Sequence, residues 1–132
     1  MYVSRDFGII DMVNWNKLTD GDSPDEISER SHTHPVMIFK HSTRCGISFS
    51  ALDKLTVHWD NTKVDGIIPY ILDVVHLREY AREVGSYFGI PHQSPQVLLI
   101  KDGKCVYKQS HFGINFGELE DMMSKLNGSE LR

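Results

Sequence analysis

Cysteine is scarce in this chain. Among 132 residues there are two, Cys45 and Cys105. Arg5, Asp6 and Asp11 interrupt any apolar segment at the N-terminus, so no signal peptide is expected and the protein reads as cytoplasmic. Thiols in that compartment rest reduced, which argues against a structural disulfide and leaves transient thiol chemistry. Long apolar runs are also missing. Val36-Met37-Ile38-Phe39 and Val97-Leu98-Leu99-Ile100 reach four residues each, far short of the roughly 20 that span a bilayer. Basic charge is not in excess: 14 Lys and Arg against 18 Asp and Glu give a net charge of −4. That balance offers no electrostatic footprint for nucleic acid or an anionic membrane. Seven histidines include His32-x-His34, but no second Cys/His pair stands at ligand spacing, so no metal site is expected. Repeats, low-complexity tracts and Gly/Ser linkers are absent too. Residues 1–132 therefore read as a single domain, with 1–14 as an extra arm.

What is present is an alternation of strand and helix signals. Met12 to Trp15 is a weak first strand. Ser23-Pro24-Asp25-Glu26 combines an N-cap, a first-turn proline and a capping-box glutamate, predicting a helix to about Ser31. Val36 to His41 reads as a buried strand, followed by a helix from about Cys45 to Val57 capped by Ser42 or Thr43. Ile47, Phe49, Leu52, Leu55 and Trp59 form its expected apolar stripe. A strand over Ile67 to Val75 and a helix over Leu77 to Phe88 follow, with Gly89 as the stop. Asp102-Gly103 between two apolar runs is a hairpin signal. The last helix runs from about Asn115 to Leu126, with Gly128 past its end. Strand–helix alternation closed by a hairpin and a helix gives an α/β fold: a thioredoxin-like central mixed sheet flanked by helices.

In that layout Cys45 leaves a buried strand and enters the first turn of a helix. Free N–H groups and the positive end of the helix dipole favour an anion there, and hence a thiolate. Arg44 adds positive charge and His41 a partial one, while Gly46 leaves the approach uncrowded. Ser48 takes the place that a resolving thiol holds in Cys-x-x-Cys. A serine can hydrogen-bond a thiolate but cannot displace a mixed disulfide, so Cys45 chemistry should pause there and wait for an outside thiol. Ser94-Pro95 marks the loop that passes beside the thiol in this fold; a trans proline opening a strand is the plainer alternative. Cys105 begins the return strand about 16 Å of chain away, beyond the ~7 Å between Cα atoms that a disulfide allows. His92 and His111 come back to the thiol end. Asp73 reads as a strand-end cap or turn residue, and Trp15 and Trp59 as packing.

Two stretches carry a family likeness. Phe39-Lys40-His41-Ser42-Thr43-Arg44-Cys45-Gly46-Ile47-Ser48 and His92-Gln93-Ser94-Pro95-Gln96-Val97-Leu98-Leu99-Ile100 closely resemble the YtxJ-type monothiol bacilliredoxin family. Gly103-Lys104-Cys105-Val106-Tyr107 with Ser110-His111 looks like the same family, and the likeness extends from about Trp15 to Leu126. The resemblance implies a thiol-disulfide oxidoreductase that removes bacillithiol from S-bacillithiolated proteins. Cys45 would be the attacking thiol, with Arg44, Gly46, Ser48, Ser94 and Pro95 around the substrate. Bacillithiol or another low-molecular-weight thiol would be co-substrate, S-thiolated client proteins the partners, and no cofactor would be bound. Gly46 and Gln93 depart from the proline and glutamate that the family has there.

Two other readings compete. Cys45-Gly46-Ile47-Ser48 also looks like the Cys-Gly-Phe-Ser motif of monothiol glutaredoxins, which carry iron–sulfur clusters. Against it, Ser94-Pro95 replaces their Thr-Val-Pro, and their later Gly-Gly-x-Asp is missing. The second alternative is a thioredoxin-like interaction module without redox turnover.

Overall fold

A computed structural model describes residues 13–130 of the chain. Five strands form one sheet in the order β1 (Asn16–Lys17), β3 (Ile68–Asp73), β2 (Val36–His41), β4 (Gln96–Lys101) and β5 (Lys104–Ser110). Strands β1, β3 and β2 are parallel; β4 and β5 run antiparallel to their neighbours. Helices α1 (Pro24–Arg30) and α3 (Arg78–Phe88) supply Ile27, Tyr80, Ala81 and Val84 to the core on one face. Helices α2 (Gly46–Val57) and α4 (Phe116–Glu130) supply Leu52, Leu55, Phe116, Leu119 and Met123 on the other.

Local signals explain most of these elements. Ser23 and Glu26 form the reciprocal capping box at α1, with Pro24 in the first turn. Gly89 ends α3 in the left-handed region at φ 72°, a conformation glycine adopts without a Cβ clash. Asp102 (φ 53°) and Gly103 (φ 79°) both take the positive φ required by a two-residue type I′ hairpin. Their amides are clipped to α1, Asp102 N–H to the Ser31 carbonyl at 3.0 Å and Gly103 N–H to Ser31 Oγ at 2.8 Å.

Two boundaries and one apolar stripe differ from the sequence expectation. The first strand is Asn16–Lys17 rather than Met12 to Trp15. Trp15 instead turns into the core against Phe39 and Trp59, and the chain pairs with β3 only after it. Met12 and most of the expected arm lie outside the described residues, whereas Val13 is buried. Helix α2 exposes Ile47 and buries Ser48, Ala51, Leu52 and Leu55. Residues 48, 51, 52 and 55 share a face at 3.6 residues per turn, and Ile47 sits about 100° away from it. Helix α4 runs through Gly128 to Glu130. Gly128 is not in the left-handed conformation that would stop it, and one glycine weakens a helix by only ~1 kcal/mol.

Strand β2 lies between β3 and β4 and is covered on both faces, so all six of its residues are buried, Lys40 and His41 included. Its C-terminal end leads directly into the Cys45 segment.

Candidate functional site

Cys45 is the N-cap of α2, with extended backbone (φ −126°, ψ 119°). The sequence expectation gave that role to Ser42 or Thr43. Ser42 is used one step earlier, its Oγ accepting from Arg44 N–H at 3.3 Å and its carbonyl from Cys45 N–H at 3.2 Å. This tight turn delivers a half-buried thiol to the open end of the helix, and the sulfur makes no capping hydrogen bond. Arg44 and Gly46 are exposed on either side, and the space over Gly46 is empty.

Ser48 is fully buried beneath this turn. Its Oγ accepts from Ser42 N–H at 2.9 Å and lies 2.5 Å from His41 Nδ1. His41 is itself buried, with its ring edge-on to Phe49 at 4.6 Å. Burial pushes its pKa down to about 4, against the weaker opposing pull of Asp73 and Asp53. The neutral imidazole shares one hydrogen bond with the Ser48 hydroxyl through Nδ1. The expected partial charge at His41 is therefore not there near neutral pH. Ser48 Oγ is thus held by His41 and Ser42 in the framework of the turn.

The register of β2 against β4 ends at Lys40 opposite Gln96, which leaves Pro95 just before β4 at the end of the sheet from which Cys45 departs. The Ser94–Pro95 peptide is cis. Ser94 Oγ is buried without a hydrogen-bond partner, and the Pro95 carbonyl accepts from His111 N–H at 3.0 Å. His111 takes a positive φ of 55° to make that contact and opens a single 3-10 turn, His111–Gly113. Lys54 of α2 fastens the turn by donating to the Phe112 carbonyl at 3.2 Å. The Phe112 ring is left 76% exposed.

Cys105 is elsewhere. It pairs with Ile100, which pairs with Val36 at the start of β2, about 16 Å of strand from His41. Both cysteines are free. Burial raises the Cys105 pKa, although hydrogen bonds from the backbone and Lys108 and Lys40 nearby oppose it. Asp73 caps its own turn, accepting from Val75 N–H, His76 N–H and the His76 ring. Among the described residues, no group of three His, Cys, Asp or Glu side chains is arranged to hold a metal ion. In the same span no helix is long and apolar enough to cross a membrane.

Lys40 was not marked by sequence reading. It is wholly buried on the α3 side of β2, and its ammonium lies 3.3 Å from His92 Nδ1 in the loop before Ser94. Burial lowers its pKa to about 8. Gly85 provides the room, since a Cβ there would come within 3.6 Å of Nζ and 2.7 Å of the Ile90 carbonyl. The available signal was Lys40 itself, continuing a strand read as buried.

A cysteine at a strand-to-helix joint, with a cis-proline loop at the same end of a mixed sheet, is the arrangement with which the comparisons agree. The model of the monothiol bacilliredoxin BrxC family matches residues 16–119. The chain belongs to that family. Among solved structures, one described as a candidate oxidoreductase with a thioredoxin fold is 25% identical with a TM-score of 0.70, over 87% of this chain and 96% of that one. Thioredoxin from Malassezia sympodialis is 19% identical with a TM-score of 0.61, over 86% and 93%. Spinach chloroplast thioredoxin f is 16% identical with a TM-score of 0.58, over 84% and 91%. The fold is thioredoxin-like, and family and fold together support a thiol redox role for this bacilliredoxin.

Proposed function

We propose that this bacilliredoxin removes bacillithiol from S-bacillithiolated client proteins by thiol–disulfide exchange at Cys45. The Cys45 thiolate attacks the bacillithiol sulfur of the client's mixed disulfide. A new sulfur–sulfur bond forms on Cys45, the old one breaks, and the client leaves as a thiolate that takes a proton from solvent. A second low-molecular-weight thiol then attacks the adduct, releasing a small disulfide and restoring Cys45.

The observation that carries this reading is the absence of an internal resolving thiol among the described residues. Position 48 holds a serine occupied by His41 and Ser42, and Cys105 lies toward the far end of the sheet. An adduct formed on Cys45 therefore has to wait for an external partner. Arg44 and the open N-terminus of α2 flank the thiol, and the Ser94–Pro95 loop comes to the same end of the sheet.

Intact-mass analysis of reduced protein mixed with an S-bacillithiolated client tests the proposal. The adduct should move from the client to Cys45, and Cys45→Ala should abolish the transfer. No transfer by the native protein, or equal transfer by the variant, would defeat it.

A further inference from the structure

Two buried polar side chains meet beneath the Cys45 turn, in surroundings that are otherwise apolar. His41 follows Met37 and Phe39 on one face of β2, and Ser48 shares the buried face of α2 with Ala51, Leu52 and Leu55. Neither is more than 1% exposed. The phase of α2 places this hydroxyl in the core and leaves Ile47 beside it 39% exposed. Stability alone gives no reason for that choice, since an apolar pair of the same shape usually replaces a buried polar pair at little or no cost. The imidazole is also held in one orientation. Phe49 meets it edge-on at 4.6 Å and Phe39 lies 6.0 Å away, with Nδ1 2.5 Å from Ser48 Oγ.

What this pair holds is the turn that presents the sulfur. Ser48 Oγ accepts from Ser42 N–H at 2.9 Å. The Ser42 carbonyl then accepts from Cys45 N–H at 3.2 Å, and Ser42 Oγ from Arg44 N–H at 3.3 Å. Cys45 in turn opens the helix, its carbonyl accepting from Ser48 N–H at 3.1 Å and Phe49 N–H at 3.3 Å. Together these bonds close a ring from the end of β2 to the first turn of α2 and back. The Cys45 side chain makes no capping bond of its own, so the direction of its Cα–Cβ bond is set by this backbone ring. Direction matters for exchange: a thiolate displaces a thiol from a disulfide along the sulfur–sulfur axis, and misalignment costs rate. A small alkylating agent makes a weaker directional demand.

We propose that His41 is a positioning residue: acting through Ser48, it locks the Ser42–Cys45 turn and so aims the Cys45 sulfur at an incoming disulfide. This rests on the exchange reaction proposed above and assigns a residue that sets its geometry. The serine that stands in place of a second thiol is then also the link through which the central strand directs the first one.

Two rates at Cys45, each followed by peptide mass, test it: adduct formation with glutathione disulfide and alkylation by iodoacetamide. Their ratio cancels the thiolate fraction, which enters both, and leaves the directional demand. His41→Leu, which lacks Nδ1, should lower the ratio about fivefold, the weight of one net hydrogen bond. His41→Asn offers a carboxamide close to where Nδ1 stood and should restore most of it. Ser48→Ala should match His41→Leu, and it decides the matter should His41→Leu not fold. The double variant should be no worse than either single one, because both cut the same linkage. Leu55→Ala removes packing from the same helix without touching the turn and should leave the ratio as it is. An equal fall in Leu55→Ala, an unchanged ratio in His41→Leu and Ser48→Ala, or additive effects in the double variant overturns the proposal. Amide hydrogen exchange supplies a readout that needs no reaction. The Ser42 and Cys45 amides should exchange faster in His41→Leu and return toward native rates in His41→Asn; equal rates in all three proteins overturn the proposal. A native protein that forms no adduct with glutathione disulfide would instead defeat the exchange reaction itself, and the role of His41 with it.

Discussion

Ser48 is one residue whose type and surroundings must be read together. Its hydroxyl meets the Ser42 backbone amide and the buried His41 imidazole. Removing the oxygen takes a hydrogen bond from both, and losing the partner of a buried polar group costs about 1–3 kcal/mol. Ser48→Ala should therefore lower the free energy of unfolding by that amount in denaturant titrations. Ser48→Cys asks a different question, because the thiol would lie one helical turn from Cys45 with no outside molecule needed to reach the adduct. After one equivalent of glutathione disulfide, the native protein should keep the adduct on Cys45. The variant should instead lose it and show an internal disulfide by intact mass. A persistent adduct in the variant would mean that residue 48 cannot reach the sulfur. The sequence identified Cys45 and the missing second thiol, because both depend on residue type and spacing. It did not reveal the partner of Ser48, since His41 meets it only once the strand and helix are folded together.

At the scale of elements, the start of α2 is the informative one. Gly46 is its first residue and an added Cβ would meet nothing. Cys45 before it is already extended, the conformation that a following proline imposes. Proline is also favoured at the first helical position, where its missing N–H removes no helical hydrogen bond. Gly46→Pro should thus stabilise the protein by about 0.4–1 kcal/mol, mostly by restricting the unfolded chain. A raised midpoint with an unchanged denaturant slope would bear this out, and a lowered midpoint would show that the glycine is needed in its present conformation. Capping box, glycine stop and hairpin turn were legible because each is written in adjacent residues. The ends of β1 and α4 were not. Trp15 is withdrawn from pairing by contacts with Phe39 and Trp59, and Gly128 continues a helix that local propensity alone would end. Ile47 shows the same limit: an apolar residue was assigned to the buried stripe, but the phase of the helix gave that place to Ser48.

For the molecule as a whole, the last two residues of the central strand place one titratable group in each half of the core. His41 points toward α2 and Lys40 toward α3, and burial lowers the pKa of both. For each, folding favours the neutral form, so the stabilising contribution is present above the unfolded pKa and is lost as pH falls. For His41 that loss spans about pH 6.5 to 4; for Lys40 it spans about pH 10.5 to 8. Each proton is worth at most 1.36 kcal/mol per pH unit, so each window can hold on the order of 3 kcal/mol. Below about pH 4 the hydrogen-bonded carboxylates Asp22 and Asp73 take over, their pKa values lowered despite burial. Near neutral pH the Lys40 ammonium is a buried charge with one neutral nitrogen beside it, a costly arrangement that a similarly shaped apolar side chain would relieve. Lys40→Met should therefore raise stability at pH 7 by about 1–3 kcal/mol. It should also flatten the rise expected between pH 7.5 and 9.5, a range below the titration of Tyr80 and Tyr107, whose burial raises their pKa values. Urea titrations of both proteins across pH 4–9.5 would separate the two windows. The variant should keep the acid-side loss due to His41 and lose only the alkaline gain. A variant less stable at pH 7 would instead mean that the Lys40–His92 contact holds the cis-proline loop strongly enough to outweigh the buried charge.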